Sequence, residues 1–264
     1  MKIRELAISW ILHSIKIILG DEGIRRYIIL NKFPNIKNNF KKAIRTFDSF
    51  VKKKKTREDK HNEIKKYLDY AIALDDVVVF TATNVQQNNE DNETHYQSFI
   101  LDNDNKKVYA VDPAFDKDKD DFIGIYYAEI THEVVKPFLV SKDYEFGFIR
   151  LERPAQSTTN DVFCQTWSLL ILLEILENNK YKEENLEIKI PKLKVARYKK
   201  VLDFYKDIFK TMPDLQYNLT EEYKGSINNC TISNNGDDLT EEQKKELLEI
   251  NVYDLLESMK ESEM

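Results

Sequence analysis

Cysteine is nearly missing from this chain of 264 residues, which holds only Cys164 and Cys230. A secreted scaffold stapled by disulfides carries more, so the count favours a reducing compartment, with a single Cys164–Cys230 bridge left open. Histidine is almost as scarce, at four residues, and none completes a zinc motif with His132-Glu133. No metal or other cofactor is therefore expected. Glycine and proline number six each, and no glycine-rich phosphate loop occurs. Long apolar runs are also lacking. Leu6–Ile15 carries no Lys, Arg, Asp or Glu, but it is too short to span a bilayer and no small-residue cleavage site follows it. No integral membrane segment is expected.

What the chain does have is charge, 33% of its residues, unevenly spread. Residues 37–66 hold twelve Lys/Arg against four Asp/Glu, including Lys52-Lys53-Lys54-Lys55. The plainer reading of this stretch is a solvated helix face; the other is a patch for nucleic acid or another acidic partner. Residues 237–264 reverse the balance, with ten acids against three lysines.

Periodicity divides the chain into three consecutive parts. Residues 1–73 read as mainly helical, with Ile3, Leu6, Ala7, Trp10, Ile11, Ser14 and Ile18 recurring at helical spacing as a core-facing stripe. Residues 74–227 begin with short β-type runs, at Val77–Thr81, Tyr96–Leu101, Val108–Val111, Phe122–Ala128 and Phe146–Leu151. A strongly apolar helix follows over Val162–Leu176. Residues 228–264 form a polar linker and an acidic helix, with Thr240 as N-cap, Gln243 at the capping-box position, and one apolar face through Leu247, Leu248, Ile250, Leu255 and Leu256. Segregated strands and helices predict an α+β fold.

The chemistry gathers at four residues. His95 opens one β-type run, and Asp112, followed by Pro113, closes the next. Asp102–Lys107 between them is turn chemistry. A hairpin symmetric about Asn103 and Asp104 would set His95 directly opposite Asp112, with Cβ atoms roughly 5 Å apart. A carboxylate so placed can hold an imidazole in one tautomer. Cys164 falls in the first turn of the apolar helix, with Asp161 as the expected N-cap. A helix start favours negative charge on a thiol, and a solvent-facing start on a buried helix would hold a nucleophile rigidly. Gln156, just upstream in a polar loop, offers a side-chain amide that could bind an oxyanion beside the Cys164 N–H. Each residue alone reads more simply as structural; the combination carries the weight. Cys230, in an Asn-rich loop, is the poorer nucleophile.

The order His95, Asp112, Gln156, Cys164 resembles that of the proteases of SUMO and ubiquitin-like proteins, a superfamily that includes the adenovirus protease and related enzymes of large DNA viruses. The segment Asp161-Val-Phe-Cys164-Gln-Thr-Trp-Ser-Leu169 is most similar to the viral branch. The resemblance covers about residues 77–177. It implies a small mixed sheet packed on a buried helix that carries the nucleophile, with a helical N-terminal extension outside it. It also implies a catalytic triad of Cys164, His95 and Asp112, with Gln156 at the oxyanion. The substrates implied are viral structural precursors, cut near small residues such as glycine, or conjugates of ubiquitin-like proteins, and the location implied is the host cytoplasm or the virion. Three positions and one spacing depart from the pattern of cellular members: Tyr96 stands where they often carry Trp, and the gap from Gln156 to Cys164 is slightly longer. Phe163 stands where they carry Asp, and Gln165 stands where they carry Gly, which makes Gln165 a second amide candidate. A catalytically idle relative serving as a binding or virion structural protein, and acyl transfer by the same triad, are the alternatives.

Overall fold

The computed structural model describes residues 2–38, 57–74, 77–87, 92–116, 121–122, 130–156, 163–184, 186–229 and 239–260. They divide into two units, one made of Met1–Ile24 with Pro191–Met264, the other of Arg25–Ile190. This division departs from the three consecutive parts read from periodicity.

The reason lies in which apolar faces find partners. In the first unit α1 (Ile3–Gly20) buries Ala7, Ile8, Trp10, Ile11, Ser14, Ile15, Ile18 and Leu19. The stripe anticipated from its spacing is thus the buried face, and it packs mainly on α7 (Pro213–Asn229), with α8 (Glu241–Leu248) and α9 (Val252–Ser258) beside it. Helix α6 (Lys194–Thr211) lies against α7. The acidic segment is two helices rather than one. Thr240 and Gln243 form the expected capping box on α8. The chain then breaks at Ile250, and Asn251 caps α9 by accepting from the N–H groups of Tyr253 and Asp254, each at 3.1 Å.

The second unit is built on a mixed sheet of order β1-β2-β3-β4-β7: β1 (Lys37–Asn38), β2 (Val77–Gln87), β3 (Asn92–Asp102), β4 (Lys107–Val111) and β7 (Glu145–Phe148). The β2–β3 and β3–β4 pairs are antiparallel, while β1–β2 and β4–β7 are parallel. Two short ladders accompany it, β5 (Phe115–Asp116) with β6 (Asp121–Phe122) and β8 (Arg150–Leu151) with β9 (Glu187–Ile188). Of the predicted run Phe122–Ala128, residues 123–128 lie outside the described residues, as do residues 39–56 of the basic stretch.

Strand alternation sorts the sheet into two faces. Val78, Phe80, Phe99, Leu101, Val108 and Ala110 pack on one side. They meet Ile64, Leu68 and Ala71 of α3 (Arg57–Ile72) and Ile130, Val134 and Val135 of a π-helix (Ile130–Val135), which runs into α4 (Lys136–Val140). Residues 57–73, expected in a separate helical part, are therefore a lid on the sheet. The opposite face carries α5 (Cys164–Leu176), whose residues are all buried except Glu174. The Ser98 and Ser168 hydroxyls bond across that interface at 2.7 Å. The sequence-based expectation of an α+β unit with a small mixed sheet and a buried Cys-bearing helix matches this architecture.

Phe99 is fully buried and stacks on Phe80 with ring centroids 4.7 Å apart. Phe99→Ala should lower unfolding free energy by about 3–5 kcal/mol, read from the midpoint shift in urea at an unchanged denaturant slope.

Candidate functional site

The β3–β4 hairpin turns on Asn103–Lys106, with Lys106 in the left-handed region at φ 53°. Asp102 braces the turn, its Oδ1 accepting from the Asn105 N–H at 3.2 Å. This four-residue turn sets Ser98 opposite Val111. Continuing the ladder brings Gln97, not His95, opposite Asp112, which corrects the register expected from a turn centred on Asn103 and Asp104. The slip is two residues, so side-chain parity survives. His95 lies diagonally across from Asp112 on the same face and still reaches it, with Nε2 2.9 Å from Oδ1.

Asp112 is held from several directions. Its Oδ1 also accepts the Ala114 N–H at 2.8 Å, as the chain turns through Pro113. Its Oδ2 accepts from Gln97 Nε2. Gln97 is oriented in turn by Thr131 of the π-helix, whose hydroxyl donates to Gln97 Oε1 at 2.7 Å. Asp112 is 1% exposed, and a carboxylate taken out of water needs such donors to keep its charge.

Cys164 is the first residue of α5, and its sulfur lies near enough to the His95 ring to raise the ring's pKa. Two register facts explain how they meet. Ser168, one turn along α5 from Cys164, is bonded to Ser98, three residues along β3 from His95, so the two elements are pinned together close to the site. The β3–β4 ladder ends at the Ser98–Val111 pair. His95 and Asp112 both lie beyond that pair. With Nε2 engaged by Asp112, Nδ1 is the nitrogen left to exchange a proton with Sγ. Burial alone would push the imidazole pKa down. The Asp112 carboxylate and the Cys164 sulfur outweigh it and raise the pKa to about 10. At neutral pH His95 is therefore an imidazolium, held between the Asp112 carboxylate and the Cys164 sulfur.

The N-cap of α5 is Phe163, and no side chain caps it. Asp161, the expected cap, lies outside the described residues, and the helix begins two residues later than the apolar run suggested. The expected solvent-facing start is also corrected, because Cys164 is 4% exposed. The thiol belongs to a free cysteine, and Cys230 lies outside the described residues. Cys164 Sγ is 3.6 Å from Gln165 Oε1. The amide turned by half a rotation would present Nε2–H to a thiolate from the same place.

Gln156 is 1% exposed, and its N–H donates to the Pro113 carbonyl at 2.9 Å, tying the residue to the turn that positions Asp112. Residues 157–162, which link it to Cys164, lie outside the described residues. Of the residues singled out in the sequence, His95, Asp112 and Cys164 are thus brought together, and Gln156 is anchored beside Asp112. Gln97 and Thr131 were not anticipated. Gln97 had a visible signal, since it stands two residues from His95 on the same strand face; Thr131 had none.

No protein-family model matches the chain, and no curated protein matches it. Among solved structures, the Legionella pneumophila effector protein RavZ is similar at a TM-score of 0.35, with 10% identity over 75% of this chain and 69% of that chain. A second crystal structure of RavZ matches at a TM-score of 0.31, with 9% identity over 84% and 74% of the two chains.

The raised pKa of His95 links stability to pH. The folded state binds the imidazole proton more tightly than the unfolded chain, so this contribution is full below the unfolded value of 6.5 and is lost as pH rises through about 10. The thermal midpoint of the wild type should fall between pH 6.5 and 10, and Asp112→Asn, which removes the attracting charge, should flatten that fall. Scanning calorimetry across the pH range reads both.

Proposed function

We propose that the protein is a cysteine peptidase in which Cys164 is the nucleophile, His95 the proton carrier and Asp112 the group that orients the imidazole. The observation that carries this reading is the Asp112 carboxylate bonded to the His95 ring at 2.9 Å, with the Cys164 sulfur near enough to that ring to raise its pKa. In the reaction, His95 already holds the proton on Nδ1, and the sulfur attacks the peptide carbonyl carbon as the thiolate partner of that imidazolium. The tetrahedral oxyanion is received by the Gln156 or Gln165 amide and by the N–H groups at the start of α5. Collapse breaks the C–N bond as His95 protonates the leaving amine. Water then attacks the thioester, giving its proton to His95, and the acid leaves as the thiolate beside the imidazolium is restored.

The superfamily resemblance, resting on the order of four residues, extends this to a substrate class: protein precursors cut beside small residues, or conjugates of ubiquitin-like proteins, in the host cytoplasm or virion. No helix among the described residues is long and apolar enough to cross a membrane. The second reading, a relative of the fold that has lost turnover, is favoured by the depth of the site. His95 and Cys164 are each 4% exposed, and a substrate carbonyl must reach the sulfur.

Alkylation separates the two. At pH 6.5 iodoacetamide should label Cys164 at least tenfold faster than Cys230, resolved by peptide mass, and His95→Ala should abolish the difference. The same His95 dependence should appear in cleavage of a mixed peptide library, with Cys164→Ala inert. Equal labelling of the two cysteines, unchanged by His95→Ala, would sink the peptidase reading.

A further inference from the structure

The orientation of Asp112 is controlled from outside the triad. Its Oδ1 serves the His95 ring and the Ala114 N–H. Its Oδ2 faces the Gln97 amide. An amide can present either end, and the end it presents decides whether this contact attracts or repels. With its carbonyl toward Asp112, two oxygens would oppose each other in a dry site. With its NH2 toward Asp112, the carboxylate plane is pinned. The second arrangement leaves the carbonyl oxygen to be satisfied on the far side, where the Thr131 hydroxyl donates to it at 2.7 Å. Thr131 and Gln97 are 0% and 1% exposed, so water does not replace either bond cheaply.

Their placement in the fold is also informative. Gln97 is opposite Ala82 on β2, a small side chain that leaves the amide room above the strand. Thr131 is on the π-helix, a wide turn that costs backbone stability and that concentrates at functional sites. Its neighbours in the turn, Ile130, Val134 and Val135, are packed into the apolar core on the same face. The core thus holds the π-helix in place, and the π-helix presents a single hydroxyl to the Gln97 carbonyl.

We infer that Gln97 and Thr131 are positioning residues of the triad, a relay running Thr131 → Gln97 → Asp112 → His95 that locks the carboxylate in the plane from which it holds the imidazole. This rests on the peptidase reading for its consequence in catalysis, but its effect on the His95 ring does not. Without the Thr131 hydroxyl, the Gln97 carbonyl is buried without that donor, and the amide turns away to find another. Asp112 is then free to rotate about its last torsion, and the ring it holds loses its fixed orientation. The groups that face His95 in this site are Asp112 and Cys164, so a change in the ring's titration reports on these two.

The test is the rate of Cys164 alkylation by iodoacetamide from pH 5 to 10, site-resolved by mass, in wild type, Thr131→Val, Thr131→Ser, Gln97→Leu and His95→Ala. The 15N and 1H shifts of the His95 ring are recorded on the same samples. Thr131→Val keeps the shape of the side chain and removes the donor. It should slow alkylation three- to tenfold, draw the upper bend of the profile to lower pH, and broaden or shift the Nε2–H resonance. Thr131→Ser should restore both readouts, and Gln97→Leu should exceed the defect of Thr131→Val. If Thr131→Val and Gln97→Leu superimpose on the wild type in both readouts, the relay is refuted, whatever His95→Ala does. If the ring signals move as expected while His95→Ala alkylates like the wild type, the relay stands as a structural device and the peptidase reading falls.

Discussion

A carboxylate buried to 1% exposure has to be compensated by its surroundings, and much of this site can be traced to how Asp112 is compensated. Moving such an ion out of water costs several kcal/mol unless donors replace its hydration. The chain supplies them from different distances along the sequence. Ala114 turns its N–H back on the acid two residues later, Gln97 and His95 reach across from the neighbouring strand, and Thr131 acts through Gln97. The same negative charge keeps the imidazole protonated against the effect of burial. A site holding imidazolium beside a cysteine sulfur therefore follows from solving the solvation problem of one acid.

The sheet makes that solution rigid. The two faces have different tasks: one is closed by α3 and the π-helix, which brings Thr131, and the other by α5, which brings Cys164. The residues joined at the site come from β3, the turn after β4, the π-helix and the start of α5, so each is fixed by a separate stretch of core packing. The β3–β4 ladder ends at Val111, and His95 and Asp112 lie beyond that end.

The sequence made the parts visible more readily than their joints. His95, Asp112 and Cys164 stood at recognisable local positions, and the α+β character followed from segregated periodicities. The hairpin register did not follow, because its centre was taken from the two residues of interest. The polar run Asp102–Lys107 is centred one residue later, which is where the chain turns. The error spared the site because a slip of two preserves the face of every side chain. Gln97 was legible by parity alone. Thr131 was not, since no single-sequence pattern distinguishes a π-helix from the α-helix that follows it, and the contact depends on packing between segments far apart in the chain. The uncapped start of α5 was misplaced for a related reason: Asp161 is the better cap by residue preference, yet the helix starts behind Phe163.

The discontinuous unit has a consequence for the order of assembly. Helix α1 ends at Gly20, and the helix that covers it, α7, begins at Pro213. During synthesis the stripe of Ile8, Ile11, Ile15 and Ile18 emerges before the sheet unit and finds its cover only after that unit has been made. The entropy of closing so long a span grows only logarithmically with its length, so the finished protein bears little extra cost. The nascent chain bears more, because it carries an exposed apolar helix through most of its synthesis, the kind of surface on which chaperones act and aggregates begin.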